Sequence, residues 1–313
     1  MNIAVIGSGL IGQAWAIVFA RAGLHVRLWD HDEQALNKAQ TLVSQQLEEL
    51  QTQQLVVDAR KAMANITLAT SLAHALKDAD YVQENLPETL DTKREIFAAM
   101  DAMAGPETVL SSSTSGIAAS AFTEDLDGRH RCLVAHPVNP PYLIPVVEIC
   151  GAPWTDPMAM QSARALMARV GQKPVIVNHE VEGFVLNRLQ GALLREAFRL
   201  IEQGVVSVED LDATVKDGLG LRGSFMGPFE TIDLNAPDGL LDYCTRYGPM
   251  YQRMADHQTA AKPWSDELIG HIESQRRQHL SANELAQRRR WRDERLMALM
   301  RHKHQTEQIK PQE

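Results

Sequence analysis

Cysteine is scarce in this chain of 313 residues: Cys132, Cys150 and Cys244 stand apart, with no CxxC pair and no metal-ligand spacing. That argues against a disulfide-stapled scaffold and against a zinc site, and it predicts reduced, mostly buried thiols with no bound metal. Long hydrophobic runs are missing as well. No stretch approaches the roughly eighteen apolar residues that span a bilayer, so no membrane partner is expected. Nor is there an excess of positive charge. Lys and Arg number 31 against 40 Asp and Glu, a formal net charge of −9, which offers no basic face to a phosphate backbone and argues against a nucleic-acid partner. Arg288 to Arg290 are the local exception. The first residues enter an apolar strand-like run with no basic stretch or leader-like core before it, so a cytoplasmic chain is expected and Asn65-Ile66-Thr67 reads as an accidental glycosylation match.

What is present begins at once. Ile3-Ala4-Val5-Ile6 suits a strand buried on both faces of a parallel sheet, and Gly7-Ser8-Gly9-Leu10-Ile11-Gly12 follows directly. Gly7 allows the tight turn, Gly9 lets the backbone approach a pyrophosphate, and Gly12 lets the next helix sit close to the strand, with Leu10 and Ile11 completing the cofactor turn. A second apolar run, Val26 to Trp29, ends in Asp30. A carboxylate there can accept both ribose hydroxyls of NAD and repel the extra phosphate of NADP. Strand, glycines, helix, strand and terminal acid together predict an NAD site; the alternative is a Rossmann unit that has lost its ligand.

Apolar strands then alternate with helix-like segments to about residue 180, at Ile66 to Ala69, Tyr81 to Gln83, Val109 to Ser111, Cys132 to Ala135, Val146 to Ile149 and Val175 to Val177. The fold class expected is α/β, a Rossmann-type doubly wound sheet over residues 1–180. Residues 33–62, rich in Gln, Glu, Lys and Ala, predict an inserted antiparallel helical hairpin. From Phe184 the apolar positions fall at helical spacing as far as Gly204, so an all-α domain over residues 181–313 is expected to follow. Its charged, Gln-rich end carries a narrow stripe of Trp291, Leu296, Leu299 and Met300, which reads as a terminal helix docked on its own or a partner subunit.

Oxidising an alcohol with NAD requires a group that takes the hydroxyl proton as hydride leaves. His136 follows the Cys132–Ala135 strand at the end where open α/β sheets hold ligands. Glu148 lies twelve residues on, beyond Pro140, Pro141 and Pro145, which reverse the chain and can return the carboxylate to the imidazole. Ser115 sits in a small-residue loop after Val109–Ser111, where it either points into a cleft or caps a helix. Asn187 stands among apolar neighbours, where a buried amide needs a substrate, a catalytic partner or an interdomain hydrogen bond. Arg222, in the loop expected from Gly218 to Gly227, is a candidate carboxylate contact, with solvent as the alternative.

The segments GSGLIG, Glu84 to Lys93 (ENLPETLDTK), Ser111 to Gly116 (SSSTSG), HPVNPP with PVVE, and Gly183 to Arg188 (GFVLNR) together resemble the 3-hydroxyacyl-CoA dehydrogenase superfamily over nearly the whole chain. HPVNPPYLIPVVE, Phe225 to Gly239 (FMGPFETIDLNAPDG) and WRDERLMAL resemble its free-acid branch, which includes L-gulonate 3-dehydrogenase and lambda-crystallin. The resemblance implies His136 as general base, Glu148 as its partner, Ser115 as a hydrogen-bond donor to the substrate oxygen and Asn187 as a second polar contact. It places Glu88 and Lys93 on ribose and nicotinamide-side contacts. Ser113 stands in the cofactor loop where hydroxyacyl-CoA enzymes carry Asn, a departure shared with the free-acid branch. The function expected is NAD-dependent oxidation of the 3-hydroxyl of a small hydroxy acid, L-gulonate first, by a homodimer. L-carnitine, a 3-hydroxyacyl-CoA or a structural, crystallin-like role are the alternatives.

Overall fold

The computed structural model describes residues 1–256 and 263–306. By contacts the chain forms two compact units, Met1–Arg188 with Arg290–Glu313, and Leu189–Arg289.

In the first unit eight strands form one sheet: β1 (Asn2–Ile6), β2 (His25–Trp29), β3 (Ile66–Leu68), β4 (Tyr81–Glu84), β5 (Val109–Ser112), β6 (Cys132–Pro137), β7 (Val146–Gly151) and β8 (Lys173–Val177). Their order is β3-β2-β1-β4-β5-β6-β7-β8. The first six are mutually parallel; β7 runs antiparallel to β6, and β8 parallel to β7. Ile3, Ala4, Val5 and Ile6 are all buried because helices cover both faces of the sheet. On one face Trp15, Phe19, Leu47 and Met167 share a core; on the other Leu76, Phe97, Met100 and Phe122 do. Burying a side chain of this size stabilises the fold by about 1.5–3 kcal/mol.

The order reverses between β1 and β4, and such a switch point opens a crevice at the carboxyl ends of the strands. Gly7 follows β1, Asp30 follows β2, Ser113 follows β5 and His136 lies near the end of β6, so the topology delivers the sequence candidates to one edge. The inserted segment between β2 and β3 forms two helices, Glu33–Thr52 and Ala59–Ala64. Asp32 and Asp58 start them by accepting backbone N–H bonds with their carboxylates.

The sequence puts the boundary at residue 180 and everything beyond it in one helical domain, whereas contacts carry the first unit to Arg188 and return the chain to it from Arg290. The cause is the last described helix, Leu285–Thr306. Its Met297 is 1% exposed and, with Leu296, packs into the core that holds Leu143 and Tyr142.

The second unit is helical, from most of Leu186–Glu202 through Gly239–Asp256 and Asp266–His279. Among the described residues its buried apolar core is small, Ile201, Val208 and Leu268. Phe225, Phe229 and Leu241 lie 69%, 74% and 80% exposed. Among the described residues no helix is long and apolar enough to cross a membrane.

Candidate active site

The glycine turn has the shape its sequence requires. Gly7 has φ of +93°, and a Cβ there would stand 2.9 Å from the Asn85 carbonyl oxygen. A Cβ on Gly12 would overlap the carbonyl oxygen of Gly7, so strand and helix approach closely only through glycine. Around Gly9 no atom lies within 4 Å of that position. Gly9 begins the helix Leu10–Arg21 without a side-chain cap, so the first-turn N–H groups of Leu10 and Ile11 remain available to an anion. Open space in front of uncapped N–H groups fits a pyrophosphate.

Asp30 closes the other side of this turn. One carboxylate oxygen accepts the Ser8 N–H at 2.7 Å and the Ser8 hydroxyl at 2.8 Å; the other accepts the Asp32 N–H at 3.1 Å. Partial burial opposes its ionisation, but these donors outweigh burial and hold Asp30 below the usual carboxylate range.

His136 and Glu148 are direct cross-strand neighbours in the antiparallel β6–β7 register. The imidazole Nδ1 donates to Glu148 Oε2 at 2.9 Å, with His136 5% and Glu148 2% exposed. The other carboxylate oxygen accepts the N–H groups of Val185 (2.8 Å) and Leu186 (2.9 Å) at the start of the helix Leu186–Glu202. Burial pushes the Glu148 pKa up, yet the His136 bond and the two N–H groups prevail and lower it. The chain reaches that position through two left-handed residues, Gly183 (φ +76°) and Phe184 (φ +47°). A left-handed non-glycine residue costs on the order of 1 kcal/mol, offset here by burial of the Phe184 ring, which packs 5.6 Å from the His136 ring. With Nδ1 committed to the carboxylate, Nε2 carries the lone pair.

Ser115 and Asn187 also meet. Asn187 Nδ2 donates to the Ser115 carbonyl oxygen at 2.9 Å. Glu88 Oε1 accepts the Thr114 hydroxyl, the Ser115 N–H (2.9 Å) and the Gly116 N–H (3.1 Å).

Three further candidates have these surroundings. Lys93 is 1% exposed, and Nζ donates to both oxygens of Glu84 (2.8 and 2.9 Å) and to the Leu86 carbonyl (2.9 Å), which uses all three ammonium donors. Ser113 is likewise spent, since its hydroxyl accepts from Trp15 Nε1 (3.0 Å) and Gln83 Nε2 (2.7 Å) and donates to Asn85 Oδ1 (2.7 Å), while its N–H bonds the Glu84 carbonyl. It joins the nucleotide helix to β4. Arg222 lies in the second unit, exposed, on a helical turn (Gly220–Gly223) where the glycines predicted a loop.

Sequence reasoning missed Ser8, Gln83 and Glu84. Gln83 also donates to the carbonyl of Ala135, the residue before His136, at 3.2 Å. The available signal was two polar residues, Gln83 and Glu84, closing an otherwise apolar strand. Among the described residues no group of His, Cys, Asp and Glu is arranged to hold a metal ion.

With this geometry in place, comparison with known proteins is direct. The chain matches the model of the 3-hydroxyacyl-CoA dehydrogenase NAD binding domain over residues 2–181 and that of the 3-hydroxyacyl-CoA dehydrogenase C-terminal domain over residues 183–281. It is 40% identical to lambda-crystallin of Oryctolagus cuniculus over 309 residues, covering 97% of each chain. It is 34% identical to L-carnitine dehydrogenase of a Pseudomonas species, over 96% of this chain and 92% of that one. Among solved structures, the NAD+-dependent dismutase 5-formyl-3-hydroxy-2-methylpyridine 4-carboxylic acid 5-dehydrogenase superimposes with a TM-score of 0.83 at 27% identity, covering 98% of both chains. Two family models spanning nearly the whole chain, relatives of full length and a glycine turn shaped for a dinucleotide agree: the chain belongs to the 3-hydroxyacyl-CoA dehydrogenase family and is an NAD-dependent oxidoreductase.

Proposed function

We propose that this enzyme oxidises the 3-hydroxyl of a small free hydroxy acid to the 3-oxo acid, with L-gulonate as the leading substrate. The observation that carries the reading is the buried His136–Glu148 pair at the carboxyl end of β6, 2.9 Å apart, with the second carboxylate oxygen filled by two backbone N–H groups. NAD, when bound, supplies the hydride acceptor. His136 Nε2 takes the hydroxyl proton as the carbon–oxygen double bond forms, and the ionised Glu148 stabilises the imidazolium that results. Ser115 donates its hydroxyl hydrogen to the substrate oxygen, and Asn187 reaches the reaction through the Ser115 peptide. Each step uses a group already oriented, so little reorganisation accompanies proton transfer.

The identity with lambda-crystallin over 97% of the chain supports the free-acid substrate class. A second reading, L-carnitine as substrate, is favoured by the 34% identity with an L-carnitine dehydrogenase. Initial rates of NADH formation with L-gulonate, L-carnitine and 3-hydroxybutyryl-CoA in parallel separate the readings. Saturable oxidation of L-gulonate well above the other two is expected; a preference for either competitor overturns the substrate assignment and leaves the chemistry at His136 in place.

The same proposal includes a homodimer paired through the second unit. Among the described residues, three buried apolar side chains are a thin core for Leu189–Arg289, and Phe225, Phe229 and Leu241 present the apolar surface that a second copy would cover. Light scattering after size exclusion should give twice the chain mass; a monomer at micromolar concentration refutes it.

A further inference from the structure

We infer that Gln83 is a positioning residue for the base: its buried amide holds the peptide that joins Ala135 to His136 and ties it to the nucleotide turn. The inference rests on His136 taking the substrate proton. The β5–β6 ladder ends with Ser112 opposite Val134, so the Ala135 carbonyl lies one residue past the last partner that β5 offers. Ala135 is 0% exposed, and a buried carbonyl needs a donor. Gln83 supplies it from β4, two strands away: its side chain, also 0% exposed, reaches past β5, and Nε2 donates to the Ala135 carbonyl at 3.2 Å. At the crevice, where the backbone ladder stops, a side-chain amide makes the next rung.

The direction of the bonds around it is dictated by carbonyls, which only accept. Asn85 Nδ2 donates to the carbonyls of Ile6 (3.3 Å) and Gln83 (2.8 Å), so Asn85 Oδ1 faces Ser113. Ser113 spends its one hydroxyl hydrogen on that oxygen at 2.7 Å and can only accept from Trp15 Nε1 (3.0 Å) and Gln83 Nε2 (2.7 Å). The Gln83 NH2 therefore faces Ser113 and Ala135, and its oxygen receives the hydroxyls of Tyr81 (3.0 Å) and Ser111 (2.8 Å). A flipped amide would set its oxygen against the Ala135 carbonyl, so one orientation survives.

The ends of this network are the two parts that must meet on one substrate carbon. Ile6 leads into the glycine turn and Trp15 stands on the helix Leu10–Arg21 that follows it, while Ala135 leads into His136. NAD is held by that turn and the proton acceptor by β6, so the spacing between hydride acceptor and base is set by what spans them. Glu148 orients the imidazole ring from β7; Gln83 fixes the backbone that carries the ring from the opposite side.

The test reads kcat per NAD-binding site, NAD affinity and melting temperature for Gln83→Met, with the hydroxy acid that the enzyme oxidises best. Methionine keeps the length and loses every bond, so kcat should fall about tenfold to a hundredfold, the size expected when a reacting group is misplaced. NAD affinity should stay within about threefold, because the glycine turn is untouched. Gln83→Asn, one methylene too short to reach the Ala135 carbonyl, carries the same expectation should Gln83→Met fail to fold. Tyr81→Phe removes a buried bond of the same network but none to Ala135 or Ser113; it should lower the melting temperature and leave kcat within about twofold. A folded Gln83 variant with kcat near wild type overturns the proposal, as does a loss confined to NAD affinity or a Tyr81→Phe variant that loses as much turnover as Gln83→Met. His136→Gln in the same assay separates the two levels. If it keeps its turnover, the assignment of the base fails and this inference with it; if it is inactive while the Gln83 variants turn over normally, only the role of Gln83 is lost.

Discussion

Replacing Glu148 with Gln changes one oxygen to NH2 without changing shape, and the structure dictates how the amide must sit. One oxygen of Glu148 takes two backbone N–H groups and the other takes His136 Nδ1. If the amide oxygen keeps the Val185 and Leu186 N–H groups, the NH2 faces His136 Nδ1, which must then accept. The imidazole proton moves to Nε2, the nitrogen required as base. If the amide flips, its NH2 faces two buried N–H donors, and each unsatisfied donor costs about 1–3 kcal/mol. The first arrangement therefore wins by roughly 2 kcal/mol or more, and the base is lost with the wrong tautomer. The imidazolium also loses its counter-charge. Together these should lower kcat by about 10²–10⁴-fold, which corresponds to about 3–5 kcal/mol in activation free energy. The assay is the initial rate of NADH formation at saturating NAD and hydroxy acid, with NAD affinity measured by titration and folding checked by circular dichroism. Expected are near wild-type NAD binding, a small change in melting temperature and the large fall in kcat. A folded variant whose kcat stays within a factor of about three refutes the tautomer argument.

Other consequences are as direct. Asp30→Ala removes the carboxylate that meets Ser8 and the end of β2, so the KM for NAD should rise about tenfold and the preference over NADP should narrow, as competing cofactor titrations would show; an unchanged preference would discard the assignment. Met297→Ala opens a cavity in the core of the first unit and should cost about 2–5 kcal/mol in urea unfolding, whereas a loss under about 0.5 kcal/mol would place that helix elsewhere in solution. Asp30 and Glu148 both bind their protons more weakly in the folded chain than in the unfolded one. The stability they contribute is thus fully present above the unfolded carboxylate range of about pH 4–5 and lost as pH falls through their lower folded values. Urea midpoints for Asp30→Asn combined with Glu148→Gln should fall less between pH 5 and pH 3 than those of wild type; parallel declines would acquit both groups.

Much of this was legible because it is local. Ile3–Ile6 and Cys132–Ala135 read as buried strands, and the Pro140, Pro141 and Pro145 reversal put Glu148 back beside His136, in register as the sheet has it. What escaped was non-local. The buried pairing of Lys93 with Glu84, nine positions earlier and on a strand, does not show in the pattern of the Lys93 helix. Ser113 carries three hydroxyl bonds whose partners come from Trp15, Gln83 and Asn85, and no spacing rule connects those positions. Around Arg222 the glycines advertise a loop, but tertiary context winds the segment into helical turns. Where the terminal helix docks was not legible, because a single buried methionine in a charged, Gln-rich stretch gives too narrow a stripe to reveal which surface it covers.

That methionine lies past residue 281, where the family's second model ends, yet it is part of the core built around β1 and β2. Inherited boundaries and folding boundaries therefore part company in this chain. Its nucleotide-binding core is not complete until the helix Leu285–Thr306 has been synthesised, so a nascent chain still short of it holds an NAD-binding fold with an unfilled place in its core. Shortening the protein to the limits of its family models would make that temporary gap permanent.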